Sequence, residues 1–380
     1  MALSKILNAS VTDSTLTTTK LATPNLGRRN LIINGAMQVA QRGTSSTDSN
    51  SYGTVDRMDS RVNGQDNAVT QAQVDVGSGT TPYSLGFRKA FKYTNGNQSS
   101  GAGTGDYLFA FYKIEAQDIA NSGWDYTSSS SYITISFWVK ASVSQNYYGY
   151  LRTPDGTAQK HSFETGTLTA DTWTKVTKTF SGNSNITIDN DTGTGLVWYL
   201  APFLGTSYTD NSASLTTWEA YSSGGTRTPD NTTTWWTTNS ATLEFTGFQL
   251  EVNSQATPFE HRSFGEELLL CQRYLQTLRG GLQGWCTSSN GNCLWTYPLH
   301  PNMRSAPTIT GTSTSYRYGD AATLGVNMTN ITIAANSFSS KECVAWLVSG
   351  TKSGTPTQFR NQILEPQSSS FATFLFTSEL

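Results

Sequence analysis

A chain of 380 residues with 25 Lys and Arg against 27 Asp and Glu carries a formal net charge of −2, and only 14% of its residues are charged, against about 25% in an average globular protein. This argues against nucleic acid as a main partner, which needs concentrated Lys and Arg. It also excludes a disordered chain, because 36% hydrophobic and 12% aromatic residues at this length can bury one or two cores.

Residues 1–28 hold Leu3, Ile6, Leu7, Val11, Leu16 and Leu21 scattered among Ser and Thr. Such a segment buries nothing alone, so it is either a flexible tail or a strip that becomes ordered against a partner or against copies of itself. Its polar character arrives too early for the core of a secretory signal, and no later run approaches the roughly 20 apolar residues that span a bilayer. No membrane insertion is expected, and a soluble product made without classical secretion follows.

From Asn30 the pattern is that of strands: Leu31–Ala40, Tyr107–Ile114, Tyr132–Ala141, Asn146–Leu151, Trp173–Phe180 and Gly195–Leu204. In Tyr132–Ala141, Ile133, Ile135, Phe137 and Val139 share one phase, and Thr134, Ser136 and Lys140 the other, the period of a sheet with one buried face. Trp138 interrupts the polar phase, so it either caps a second hydrophobic contact or sits at a ligand surface. Long polar stretches at 95–105 and 210–239 are candidate functional loops. In Thr242–Val252 the apolar phase slips between Phe245 and Phe248, and an extra residue at Thr246-Gly247 restores one face, as a β-bulge does. A β-sandwich closes near residue 260.

Gly265–Leu278 is predicted as a helix. Ser263 can cap its free amides and Glu266 can return a bond to the cap residue, while Leu268, Cys271, Leu275 and Leu278 form an apolar stripe. Residues 281–380 return to short strands, Cys293–Leu299, Pro307–Gly311, Ala322–Met328, Ile331–Ala335, Glu342–Val348 and Phe371–Thr377, which make a small antiparallel domain. The apolar Phe371, Phe374 and Phe376 tie the end of the chain into a sheet or an oligomer contact. Of the four cysteines, Cys286 and Cys293 flank Asn290-Gly291. A two-residue turn there sets them diagonally rather than opposite one another, so thiols are expected.

His161, His261 and His300 stand at no metal-site spacing, and no nucleophile elbow, phosphate loop or dinucleotide fingerprint is present. No metal, no cofactor and no catalytic residue is expected. Glu244, Glu251, Glu115 and Asp118 are the acids from which a glycosidase pair would be drawn, but no spacing brings two of them together. Glycan binding without cleavage fits better, since sugars are held by aromatic rings with amides and hydroxyls around them. Tyr147, Tyr148 and Tyr150, and Trp235 and Trp236 in a Thr-rich loop, are the candidate glycan-binding residues, although core or interface packing accounts for such rings as well. Neighbours in a strand point to opposite sides, so one of each adjacent pair can escape the core. Arg57, beside Asp56, is assigned a structural role, forking to a carboxylate to tie a loop down.

The stretch Asn30–Thr44, followed by Tyr52–Met58, resembles the opening of virion-appendage proteins of tailed bacteriophages, especially marine and cyanobacterial phages. The block Gln249–Tyr274 resembles the segment that closes the same domain and starts its helix. The resemblance brackets residues 30–278 and implies a jelly-roll domain similar to carbohydrate-binding modules at 29–264, preceded by a virion-attachment or trimer-threading segment at 1–28. The last hundred residues lie outside it; with the capped connecting helix at 265–280 and the smaller antiparallel β domain at 281–380, read from the residues themselves, the chain is all-β. The resemblance also implies a homotrimeric tail fibre, head fibre or knob, made in the host cytoplasm and carried on the virion, joined to other virion proteins through 1–28 and touching host-surface polysaccharide. Related modules often carry acids near a structural calcium after Asn-Gly; Ala36 and Gln38 stand there in this chain, which removes the hard oxygen ligands. A tailspike-like polysaccharide-degrading enzyme and a free lectin are the alternative readings.

Overall fold

The computed structural model describes residues 28–222, 225–279, 282–286, 293–311, 315–319, 326–337, 339–352, 361–366 and 373–380. The chain forms two compact units. The described residues up to Ala36, with Arg61–Thr70 and Val74–His261, make the first. Met37–Ser60, Gln71–Gln73 and Arg262–Leu380 make the second. The second unit is therefore discontinuous in sequence, and the segment carrying Asp56 and Arg57 belongs to it.

Twelve strands precede residue 260: β1 (Ser45–Ser46), β2 (Asp59–Asn63), β3 (Thr70–Asp75), β4 (Lys89–Thr94), β5 (Tyr107–Glu115), β6 (Tyr132–Ala141), β7 (Asn146–Thr153), β8 (Gln159–Thr167), β9 (Thr174–Ser181), β10 (Thr194–Leu204), β11 (Glu219–Ala220) and β12 (Thr242–Glu251). Short helices α1 (Thr81–Ser84), α2 (Ala116–Ala120) and α3 (Thr234–Thr237) lie between them. They build two six-stranded sheets in the orders β1-β3-β4-β12-β6-β9 and β11-β8-β7-β10-β5-β2, a jelly-roll-like antiparallel sandwich. Its core is aromatic: the Phe137 ring meets Trp198 at 5.6 Å and Phe248 at 6.2 Å, edge to face, and Trp198 lies 4.4 Å from Phe248. Such pairs add about 0.5–1.5 kcal/mol beyond the area they bury.

The apolar phase of β6, Ile133, Ile135, Phe137 and Val139, is fully buried as expected, but the polar phase is covered in part as well, with Thr134 and Ser136 inaccessible. The pairing of β12 with β6 shifts between Thr246 and Gln249, where Gly247 takes a φ of 65°; a bulge there returns Phe248 and Leu250 to the core. Leu31–Ala40 is not the strand its apolar run predicts. The chain turns at 33–36, with Asn34 at a φ of 61°. Asn30 fixes the entry instead: its side-chain oxygen accepts from Ile32 N at 3.0 Å and Leu250 N at 3.1 Å, and its amide donates to Phe248 O at 3.1 Å. Gly35 then lies so close that a Cβ would fall 2.1 Å from the Phe248 carbonyl oxygen. Strands β2, β3, β4 and β8 give no apolar run in the sequence, because polar or charged residues interrupt them, in β8 even at the buried Gln159 and His161.

The second unit holds α4 (Phe264–Gln272) and strands β13 (Leu275–Arg279), β14 (Leu282–Cys286), β15 (Cys293–Pro298), β16 (Thr308–Gly311), β17 (Ser315–Gly319), β18 (Val326–Ala335), β19 (Cys343–Lys352), β20 (Asn361–Pro366) and β21 (Thr373–Thr377). β14-β15-β19-β18-β17-β20 close into a barrel, and β13-β21-β16 form a three-stranded sheet. Trp295, Trp346, Val344, Val348, Phe374 and Phe376 share one buried cluster, so the C-terminal strand is central to a sheet rather than loose.

Two expectations are corrected here. The helix ends at Gln272, not at 278 or 280, because Leu275 and Leu278 pair with Thr377 and Phe374 of β21; long-range strand pairing overrides the helical stripe. The register of β14 on β15 sets Cys286 directly opposite Cys293, not diagonal to it. The expected two-residue turn lies at 287–292, outside the described residues, as do residues 1–27, 322–325 and Phe371.

Candidate functional site

In β7, even and odd residues face opposite ways, and the sandwich uses the odd ones. Tyr147 is fully buried with its hydroxyl donating to Val143 O at 2.9 Å. Tyr148, Tyr150 and Arg152 therefore lie on the outer face of the second sheet. There Tyr150 is opposite Tyr199 of β10, which is opposite Phe111 of β5. The three rings form a row across the strands: Tyr150 stacks on Tyr199 at 4.2 Å and 13°, and Tyr199 on Phe111 at 5.5 Å and 22°. Phe109 and Tyr107 continue it along β5, with Tyr107 stacked 5.2 Å from Phe109.

The segment after β10 lays two further rings on this row. Tyr208 meets Tyr107 edge-on at 5.3 Å, and Tyr221 lies 6.4 Å from Tyr150. The Arg152 guanidinium sits 4.2 Å over Tyr221 and that of Arg227 4.6 Å over Tyr208, a cation–π geometry. Tyr150 and Tyr199 are nearly inaccessible, while Tyr107, Tyr148, Tyr208 and Tyr221 are half-buried. Burial raises the Tyr150 hydroxyl well above its ordinary pKa; it raises Tyr199 too, against the opposing pull of the Arg152 cation and its hydrogen bond. Both phenols are thus held neutral. The buried Nε of Arg152 has no hydrogen-bond partner among the described residues. Phe109 and Phe111 are buried with Tyr150 and Tyr199, so the surface of this cluster is made by the half-buried Tyr107, Tyr148, Tyr208 and Tyr221, with the Arg152 and Arg227 guanidinium groups over two of these rings.

The structure thus brings Tyr148 and Tyr150 onto one face and separates them from Tyr147, Trp235 and Trp236. The two tryptophans stand on α3, both fully buried. Trp235 Nε1 donates to Thr242 O and Trp236 Nε1 to Gly101 O, each at 3.1 Å, and the Asn95 amide donates to both of their carbonyls. No ring face of either is open to a ligand; they anchor the segment around α3. The sequence reading missed Tyr107, Phe109, Phe111, Tyr199, Tyr208, Tyr221, Arg152 and Arg227. The signal was present in β5, where Tyr107, Phe109 and Phe111 alternate with Leu108, Ala110 and Tyr112, so that both phases are apolar in a sheet that needs only one.

The residues assigned structural roles lie in the second unit. Arg57, 1% exposed, donates to the Glu379 carboxylate and stacks 3.5 Å over Tyr274. Asp56 accepts from the Gln41 backbone at 2.9 Å and from its side chain, and burial pushes its carboxyl up to about 6 despite those bonds. Ser263 Oγ accepts from Glu266 N while the Glu266 carboxylate accepts from Ser263 N at 2.8 Å.

The four acids weighed for cleavage have structural partners. Glu244 pairs with Lys140 at 3.0 Å and Lys92 at 3.6 Å, Glu251 accepts from Thr257 and Gln249, Glu115 from Gln117, and Asp118 from Arg28. Among the described residues no group of three or more His, Cys, Asp or Glu is placed to hold a metal ion. No helix there is long and apolar enough to cross a membrane.

No protein-family model and no curated protein matches the chain. Among solved structures it is similar to the enzymatically active domain of tailspike protein 4 of bacteriophage CBA120, with 9% identity and a TM-score of 0.32 over 59% of this chain and 22% of that one. It is also similar to a candidate sugar-binding protein from Bacteroides thetaiotaomicron, with 12% identity and a TM-score of 0.28 over 59% of this chain and 100% of that one. A third likeness is to the family 11 carbohydrate-binding module of a cellulosomal cellulase of Clostridium thermocellum, with 10% identity and a TM-score of 0.26 over 56% of this chain and 96% of that one. The chain thus spans about a fifth of the tailspike chain and nearly the full length of the other two.

Proposed function

We propose that this chain is a non-enzymatic structural component of a phage virion appendage, a tail fibre or a head-attached fibre or knob, whose first unit contacts host-surface glycans without cleaving them. The observation that carries the glycan contact is the guanidinium-flanked tyrosine row on the outer face of the second sheet. A sandwich needs one apolar face per sheet, and the core already takes the inner one. Rings on the outer face, margined by Tyr148, Tyr221, Arg152 and Arg227, match the stacking and donor needs of a pyranose. The engagement of Glu244, Glu251, Glu115 and Asp118 with structural partners supports contact without cleavage.

The appendage part of the reading is supported by the likeness of residues 30–58 and 249–274 to such proteins. In it, residues 1–28 join other virion proteins and the chain is a homotrimer. Helix α4 buries Glu267 and Cys271 yet leaves Phe264, Leu269 and Leu270 at 55%, 54% and 37% exposure, apolar side chains that subunit contact would cover.

Calorimetry of the full chain with polysaccharide purified from the host envelope tests the glycan contact. Binding without release of reducing sugar is expected, and Tyr148→Ala and Arg152→Ala should each weaken it about tenfold. Binding indifferent to both substitutions overturns the site, and mass spectrometry of purified particles lacking the chain overturns the appendage.

A further inference from the structure

The first sheet carries a pocket on its own solvent face, within the same unit and built from other residues. Trp138 is half-buried there, opposite Thr246 of β12 and Lys175 of β9. The segment after β12 is drawn across this face by a buried polar network. Glu251, 2% exposed, accepts from Thr257 N at 2.8 Å and from its hydroxyl at 2.7 Å. Gln249 donates to Glu251 at 2.9 Å and accepts from Glu260 N at 2.8 Å. His261 is fixed by a hydrogen bond of 2.9 Å from Nε2 to Leu85 O and by ring contacts to Phe87 at 5.2 Å and Phe259 at 4.9 Å.

The result is a cavity of about 490 Å³ whose wall includes Trp138, Phe87, Phe259, His261, Ser136 and Lys175, a size typical of small-molecule sites. Its charge is one-sided. No carboxylate lines it, and Lys175 is exposed and makes no ion pair among the described residues. Lys140 and Lys92 on the same face both pair with Glu244, at 3.0 and 3.6 Å. The indole N–H of Trp138 likewise donates to no group among the described residues.

We infer that this pocket binds a carboxylated sugar, a uronic acid unit of an acidic polysaccharide, with a C–H face on the Trp138 indole and the carboxylate toward Lys175. The inference rests on the glycan-contact reading and adds a second subsite of different chemistry. A small inorganic anion would use the ammonium and leave the three rings idle. A neutral sugar would use the rings and leave the cation unmatched.

The test is calorimetry of the full chain at low salt with glucuronate and galacturonate tetrasaccharides and their carboxyl-reduced counterparts. At least one uronate should bind, about tenfold more weakly in Trp138→Ala and in Lys175→Gln, with an affinity that falls as salt rises. Lys175 is exposed, so Lys175→Gln keeps the fold if Trp138→Ala does not. Uronate binding that survives both pocket substitutions, or that is matched by the carboxyl-reduced sugars, overturns the inference while leaving the tyrosine row in place. Failure of the native chain to bind any host polysaccharide or uronate overturns both.

Discussion

Asp56 and Arg57 are neighbours in sequence, both almost inaccessible, and burial treats them differently. Arg57, whose guanidinium is always charged, is matched by the Glu379 carboxylate and the Tyr274 ring that face it. Asp56 has Gln41 amides as its close hydrogen-bonding partners, and desolvation lifts its pKa from 3.8 to about 6. Between these values the folded chain holds a proton that the unfolded chain has released. The stability this contributes is fully present below about pH 3.8 and is lost as pH rises through about 6. Asp56→Asn removes the titration. Urea unfolding at about pH 4 and about pH 7 should show the stability difference between variant and native chain moving in the variant's favour by about 2–3 kcal/mol. An unchanged difference would place the carboxyl at its ordinary pKa. The adjacency of Asp56 and Arg57 was legible in the sequence; the partner of Arg57, Glu379, comes from the other end of the chain and was not.

At the scale of elements, helix α4 shows where local signals stop. Its start was legible because Ser263 and Glu266 satisfy one another's backbone amides within four residues. Its end was not, because Leu275–Arg279 finds strand partners on β21, which nothing nearby in sequence announces. Ser263→Ala removes one acceptor and should cost about 1 kcal/mol, read as a lower urea midpoint. Ser263→Asp should restore most of it, and a midpoint indifferent to both would mean that the cap carries no stability. Strand β10 makes the same point about burial: ten of its eleven residues are inaccessible. Its inner phase packs in the sandwich and its outer phase, Val197, Tyr199 and Ala201, lies in the tyrosine cluster. A two-sided apolar strand announces that both faces are covered, not what covers them.

At the scale of the whole molecule, the exposed Phe264, Leu269 and Leu270 of α4 and the charge-poor composition bear on assembly. Sedimentation of the full chain at micromolar concentration should give a trimer, and a stable, fully folded monomer would remove the oligomeric part of the proposal. The all-β class, the buried phase of β6, the bulge at Gly247 and the cap of α4 were determined by the sequence itself, because each depends on alternation or on groups a few residues apart. The discontinuous second unit, the turn at 33–36, the opposition of Cys286 and Cys293, and the full burial of Tyr147, Trp235 and Trp236 against the half-burial of Tyr148 were decided only by tertiary structure. Each depends on which distant strand lies alongside. Such a pairing is stabilised by burial summed over whole sheets, so it leaves no mark at any single position in the chain.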